Sequence, residues 1–278
     1  LPIWIAGIGD AGLVNVAVRE DLGMDPAALQ MAIEADKAAG LIPAGVVICT
    51  GGTSVGAMDP VAKVIAVAKA HDLWTHVDAA WAGSAMICPE FRYLWDGVDA
   101  AHSIVFNPHK WLGAQFDCAV QFLADPAPQV RTLGLRPGYL ETLGQSDVTD
   151  FNEWTVPLGR RFRALKLWFV LRAYGLDGLR TRIRNHVMWS EELAKKLAAI
   201  PGIELTSDQR LSLFSFATKS DASTERLLQR INDDGRIYLT QTRHKGRFVI
   251  RVQVGQFDCT AEDVMMVETV VRELMEDR

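Results

Sequence analysis

Cysteine is scarce in this sequence. The four present in 278 residues (Cys49, Cys88, Cys118 and Cys259) lie far apart and form no CxxC pair. That spacing excludes the common zinc sites and argues against a disulfide framework, so free thiols in a reducing cytoplasm are expected. Basic excess is missing too: 29 Lys+Arg stand against 34 Asp+Glu, a formal net charge of -5. Nucleic acid, which selects a basic face, is therefore not the expected partner. No apolar run approaches the roughly 20 residues needed to span a bilayer, so no membrane partner is expected either. The opening "LPIWIAGIGDAG" has neither a basic n-region nor a clear cleavage site and is not read as a signal peptide. Internal repeats and low-complexity segments are absent. What remains, 49% hydrophobic and 23% charged residues, is ordinary for a globular enzyme of one large domain, or one large and one small.

The first part alternates strand-like and helix-like segments. "DPAALQMAIEADKAAG" (25–40) has helical spacing and a glycine stop, and "AGVVICT" (44–50) reads as a strand buried on both faces. A glycine-rich turn follows, then a helix opened by Pro60, and then strands at 73–77, 103–106 and 116–125. This alternation predicts an α/β domain with a mostly parallel sheet. From about 126 to 155 no period is sustained, and a loop that long in a compact domain is usually functional or disordered. Helical spacing returns at 158–175 and 179–200. Strands are then expected at 203–206, 211–217, 236–241 and 247–254, with a helix at 222–233 and a last one capped by Thr260 and Asp263. That second layout is α+β, which places a domain change near residue 172: residues 1–172 form one unit and residues 173–278 a smaller one.

"IVFNPHKWL" (104–112) sets Lys110 in apolar surroundings, where an ammonium is costly. Ligands of open α/β sheets sit beyond the carboxyl ends of the strands, and three successive ends here carry unusual residues. They are Gly51–Gly52–Thr53–Ser54, then Asp78 with the small Ala79 and Ala80, then Asn107–Pro108–His109–Lys110. Each alone has an ordinary explanation, as a common turn, a cap or ion-pair partner, or a snorkelling lysine. Together they describe one site, in which a flat ligand can approach the backbone between a carboxylate and an amine. A desolvated lysine is a nucleophile that forms a Schiff base with an aldehyde. Pyridoxal 5'-phosphate is the common aldehyde cofactor, and its pyridine nitrogen needs an acid partner. Lys110 and Asp78 meet those two needs. Ala80 lets a ring lie flat, while Thr53, Ser54 and Asn107 offer hydrogen bonds.

"HVDAAWAGSAMICPEF" (76–91) followed by "FNPHKWLGAQFDC" (106–118) resembles the group II pyridoxal-phosphate amino-acid decarboxylases of the aromatic L-amino-acid decarboxylase type. "LGRRFRALKLWFVLRAYG" (158–175) matches that family as well, and the similarity runs in register along nearly the whole chain. The resemblance implies a fold-type-I transferase fold, present here as an incomplete large domain with a mostly parallel sheet plus a C-terminal α+β small domain. It implies Lys110 as the Schiff-base lysine and Asp78 as partner of the pyridine nitrogen. Ala80 would pack on the ring, with Thr53, Asn107 and His109 around the cofactor and His76 supporting Asp78. A mobile catalytic loop, about 131–153, carries Tyr139 at the position where the family's tyrosine helps protonate the carbanion left by carbon dioxide. Relatives with phenylalanine there tend to be aldehyde synthases, so Tyr139 favours simple decarboxylation of an aromatic L-amino acid. The resemblance further implies a homodimer with its active site at the interface. Full-length members carry about as much chain again before the point where Leu1 aligns. There they hold the imidazole that stacks on the cofactor and much of the phosphate cradle. This chain is therefore expected to hold half of the active site, the other half lying on a separate chain or being lost. Oxidative conversion to an aldehyde, and a non-catalytic fragment that needs an N-terminal partner chain, are the alternatives.

Other features have plainer readings. His71, His102, His186 and His244 read as surface or packing residues, since nothing in the sequence pairs them. Arg160, Arg161 and Arg163 read as a solvated or interfacial face, and "LKLWFVLRAYG" as core or dimer contact. Trp81 either borders the substrate pocket or packs.

Overall fold

The computed structural model describes residues 6–135 and 149–276. Helix α1 (Pro26–Ala38) begins where Asp25 accepts the Ala27 N–H at 2.9 Å, with Pro26 in the first turn, where its missing N–H costs nothing. Strand β1 (Gly45–Cys49), helix α2 (Val61–Ala70) and strand β2 (Trp74–Asp78) follow. α2 buries Val61, Val64, Ile65 and Ala68, a stripe of helical period that faces the sheet core. Three 3-10 turns between Ala82 and Ala100 then lead into β3 (Ser103–Phe106). β1, β2 and β3 lie side by side in that order and are parallel.

β4 (Val120–Leu123) is shorter than the strand expected over 116–125, and it pairs antiparallel with β3. The chain turns at the end of the sheet where β3 finishes and has no crossover helix there, so it runs back alongside. Helix α3 (Ala127–Leu133) lies in the stretch where no period was found. The two helices expected at 158–175 and 179–200 are one, α4 (Arg163–Ala198), redirected at Gly175, whose φ of 63° and ψ of 174° are not helical. The division expected after residue 172 falls inside α4. Its buried side chains go two ways: Leu179, Ile183 and Val187 join the core of the first sheet, and Leu193, Ala194 and Leu197 the second core.

The second core belongs to an antiparallel sheet of β5 (Glu204–Leu205), β6 (Leu213–Ala217), β7 (Thr240–His244) and β8 (Arg247–Gln253), in the order β5-β6-β8-β7. Helices α5 (Asp221–Asp234) and α6 (Ala261–Glu276) contribute Leu227, Ile231, Val267 and Val271 to it. β7 lies four residues later than the strand expected at 236–241. Lys245 and Gly246, both at positive φ (49° and 80°), form the two-residue turn that sets His244 opposite Arg247. Hairpin register is counted from such a turn and not from the apolar run preceding it. Thr260 and Asp263 cap α6 reciprocally, as expected: the Thr260 N–H donates to the Asp263 carboxylate at 2.9 Å, and the Asp263 N–H to the Thr260 hydroxyl at 3.3 Å.

Candidate active site

The carboxyl end of the first sheet gathers three segments. In register, Asp78 at the end of β2 lies between Cys49 of β1 and Val105 of β3. Backbone hydrogen bonds lock the ends together. The Thr50 N–H donates to the Asp78 carbonyl (2.9 Å), the Ala79 N–H to that of Val105 (3.0 Å), and the Asn107 N–H to that of Ala80 (2.8 Å). Lys110 closes the next turn by donating its N–H to the Asn107 carbonyl at 2.9 Å. The carboxylate-bearing and amine-bearing segments are thus joined directly, through Ala80 and Asn107. The glycine-rich turn leaves β1 beside them. Gly51 has φ +88°, and a Cβ there would lie 2.5 Å from that of Ala82, so only glycine fits.

Asp78 uses one oxygen, Oδ1, to accept the Ala80 N–H at 3.0 Å. Among the described residues its Oδ2 has no hydrogen-bond partner, and neither has the Lys110 amine. His76, two residues earlier on the strand, places Nδ1 2.7 Å from the Ser103 hydroxyl. Burial pushes its pKa down, and the charge of Asp78 opposes that. Among the described residues no hydrogen bond joins His76 to Asp78. His109 places Nδ1 against the Cys118 backbone, 2.7 Å from its carbonyl oxygen and 3.0 Å from its nitrogen, and meets the Phe116 ring edge-on at 4.9 Å. Thr53 is exposed, and its carbonyl accepts Nε–H of Arg251 at 2.6 Å. Ala80 and Asn107 are half-buried. Tyr139 lies outside the described residues.

One expectation is overturned. Lys110 is exposed, not desolvated by its strand end. The buried residues of that turn are its neighbours Trp111 (2% exposed) and Leu112 (4%), which take the apolar space that the sequence pattern assigned to the lysine. The amine is left at the open edge of the site.

Residues 4–219 match the model of the pyridoxal-dependent decarboxylase conserved domain. The chain belongs to this decarboxylase family. It is 43% identical over 250 residues to the aromatic-L-amino-acid decarboxylase of Sus scrofa, a match that covers 89% of this chain and 51% of that one. Among solved structures, Oryza sativa TDC with PLP and tryptamine superposes with a TM-score of 0.96 at 34% identity, covering 99% of this chain and 59% of that one. Rhodiola rosea 4-hydroxyphenylacetaldehyde synthase superposes at 0.91 with 30% identity, again covering 99% of this chain and 59% of that one. The fold is that of the PLP-dependent decarboxylases, and the chain spans about half the length of the relatives it matches.

Several groups of this decarboxylase-family chain escaped the sequence reading. Arg251 on β8 reaches from the second sheet to the glycine-rich turn; burial lowers its pKa, and Gln253 accepts a second bond at 2.6 Å. A charged residue within a strand gives no pattern that would announce this. Trp81 packs: it is 7% exposed and stacks on Trp111 with ring centroids 5.1 Å apart. Three of the four histidines taken as unpaired have partners. His71 bonds Gln30, His102 takes the Thr75 N–H, and His186 is buried against Trp111. Two cavities, about 440 and 570 Å³, open elsewhere; the first borders Glu20, Asp208 and Lys245, the second Phe106, Phe122 and Arg180. Neither borders Asp78 or Lys110. Among the described residues this edge is a ledge on which Lys110 is exposed.

Proposed function

We propose that this chain forms part of a pyridoxal 5'-phosphate-dependent decarboxylase that converts an aromatic L-amino acid into its amine and carbon dioxide. One observation carries the reading: an amine and a carboxylate oxygen with no partner among the described residues stand on neighbouring strand ends, joined by the Asn107–Ala80 hydrogen bond. The residues fit the cofactor. Lys110 is accessible to an aldehyde, Asp78 has an Oδ2 without a partner among the described residues, and Ala80 presents only a methyl group where a ring would lie. In this reading Thr53, Asn107, His109 and His76 supply the polar groups around the cofactor. When bound, pyridoxal 5'-phosphate supplies the aldehyde for attachment and a cationic ring that accepts the electrons released as carbon dioxide leaves.

The chain's own residues have separate tasks in this reading. Lys110 Nζ would hold the cofactor's aldehyde carbon and, being exposed, stay within reach of an incoming amine. The Asp78 carboxylate would accept a hydrogen bond from the ring nitrogen and so favour its protonated form. Tyr139, through its hydroxyl, would help return a proton to the substrate α-carbon. Residues 1–172 serve as the cofactor-binding unit and 173–278 as the small domain. The likeness to the Rhodiola rosea aldehyde synthase supports a second reading, oxidative conversion to the aldehyde; Tyr139 argues against it. The exposed Trp168 (52%) and Phe169 (58%) on α4 support a homodimer, with remaining walls of the site supplied by polypeptide outside this chain. Four free cysteines support a cytoplasmic location, and no helix among the described residues is long and apolar enough to cross a membrane.

The test is direct. Borohydride reduction of the protein with pyridoxal 5'-phosphate, followed by peptide mapping, should place the added mass on Lys110. With tryptophan, tyrosine or phenylalanine, the amine and carbon dioxide should appear in equal amounts without peroxide. A folded Lys110→Ala protein that still released amine at the wild-type rate would refute the assignment, and aldehyde with peroxide would establish the second reading. Protein whose intact mass matches these residues alone and which takes up no cofactor would identify the chain as a non-catalytic fragment.

A further inference from the structure

Behind the ledge runs a buried polar chain that the reaction itself does not use. Trp111 directly follows Lys110 and is 2% exposed; its indole N–H donates to Nδ1 of His186 at 2.9 Å. His186, on α4, is 1% exposed. Because Nδ1 accepts, the ring proton of neutral His186 sits on Nε2, 3.5 Å from the Cys259 sulfur. Cys259 lies in the segment between β8 and α6, and two residues before it Phe257 faces Gly113. On its other side Trp111 stacks on Trp81, three residues past Asp78. One imidazole thus joins the lysine turn, the long helix and the second sheet's last loop.

We propose that His186 is a positioning residue: as the Nε2–H tautomer it seats Trp111, and through it the Lys110 turn, on the segment that leads into α6. The inference rests on the reading of Lys110 as the cofactor lysine. A hydrocarbon of the same size would fill the space but leave the indole N–H buried with no acceptor, and the turn would shift to find one. Asparagine keeps an acceptor close to the Nδ1 position and cannot reach the sulfur. The two substitutions therefore separate seating the indole from filling the cavity.

The experiment compares His186→Leu, His186→Asn and Trp111→Phe with wild type, all in the holoenzyme and with Lys110→Ala as reference. The cofactor dissociation constant is read from the visible absorbance of the lysine-bound cofactor, and the Trp111 indole N–H from its amide-type NMR resonance. His186→Leu should weaken cofactor binding about tenfold and move the indole resonance upfield, while His186→Asn stays within about threefold. Trp111→Phe should match His186→Leu, and the double variant should lose no more than either alone, because both remove one bond. Equal cofactor affinity in the leucine and asparagine variants overturns the inference, as does a double variant that loses about a hundredfold. If Lys110→Ala keeps the cofactor absorbance, the underlying reading fails, whatever His186 does. If His186→Leu does not fold, Trp111→Phe and His186→Asn still decide.

Discussion

Replacing Gly113 with alanine tests how closely the lysine turn is pressed against the second sheet's last loop. Gly113 has φ +74°, and a Cβ there would lie 1.8 Å from Cδ2, 2.3 Å from Cε2 and 2.6 Å from Cγ of Phe257. The left-handed backbone alone costs about 1–2 kcal/mol with a side chain. The ring cannot absorb the contact, because three of its atoms are involved, and it must leave. Phe257 is half-buried, carries the Arg182 guanidinium 3.2 Å from its centroid and meets Tyr174 edge-on at 5.0 Å. A cation–π contact of about 0.5–2 kcal/mol and an aromatic pair of about 0.5–1.5 kcal/mol are forfeited with it. The total for Gly113→Ala is about 2–5 kcal/mol, which at about 2–4 °C per kcal/mol lowers Tm by about 4–20 °C. The assay is thermal unfolding in a double-mutant cycle with Phe257→Ala. In the Phe257→Ala background the alanine at 113 should cost only the backbone share, leaving a coupling of about 1–3 kcal/mol. A coupling under about 0.5 kcal/mol, or an unchanged Tm for Gly113→Ala alone, would refute the steric argument.

Other consequences follow from groups around the same ledge. Burial, aided by the Arg182 guanidinium, takes His186 from 6.5 down to about 4. Between those values the unfolded chain binds a proton that the folded one rejects, so stability is full above about pH 6.5 and is lost as pH falls toward 4, by at most about 3 kcal/mol. Denaturant midpoints between pH 7 and 4.5 should show a flatter profile for His186→Asn than for wild type, and identical slopes would exclude His186 as the cause. Arg251→Ala removes the 2.6 Å bond to the Thr53 carbonyl; amide exchange at residues 51–56 should then quicken at least tenfold, and unchanged exchange would show that the turn holds itself. If the proposed dimer uses this face, Trp168→Glu with Phe169→Glu should yield monomers in light scattering, with far-UV circular dichroism retained. A dimer that survives both charges would place the interface elsewhere.

The strand ends were legible because their signals are local. A continuous apolar run such as "VVIC" can only be a buried strand or helix segment, and a glycine-rich turn after five residues decides for the strand. Asp78 and Lys110 could be placed at neighbouring ends on that ground alone. The direction of β4, the start of β7 and the fusion of two helices into α4 were harder. Each depends on where the chain turns, and a turn is set by one or two backbone angles that composition marks weakly.

The error over Lys110 is more informative. An apolar pattern around a charged residue was read as burying that residue, yet in a turn the side chains of successive residues point in different directions. The pattern was genuine, but its burial falls on Trp111 and Leu112, and Trp111 finds its acceptor 75 residues away on α4. Nothing local marks His186 as that acceptor, because a histidine inside a helix carries the same sequence signal whether it faces water or an indole. Reading the turn correctly shifts the expected effect of substitutions there. At position 110 a change should act on chemistry with little loss of stability. At 111 and 113 it should act on stability first and reach the chemistry only through the lysine's placement. Thermal unfolding of Lys110→Ala, Trp111→Phe and Gly113→Ala in one series should return that order, and a Lys110→Ala protein as unstable as Gly113→Ala would mean that the amine is buried after all.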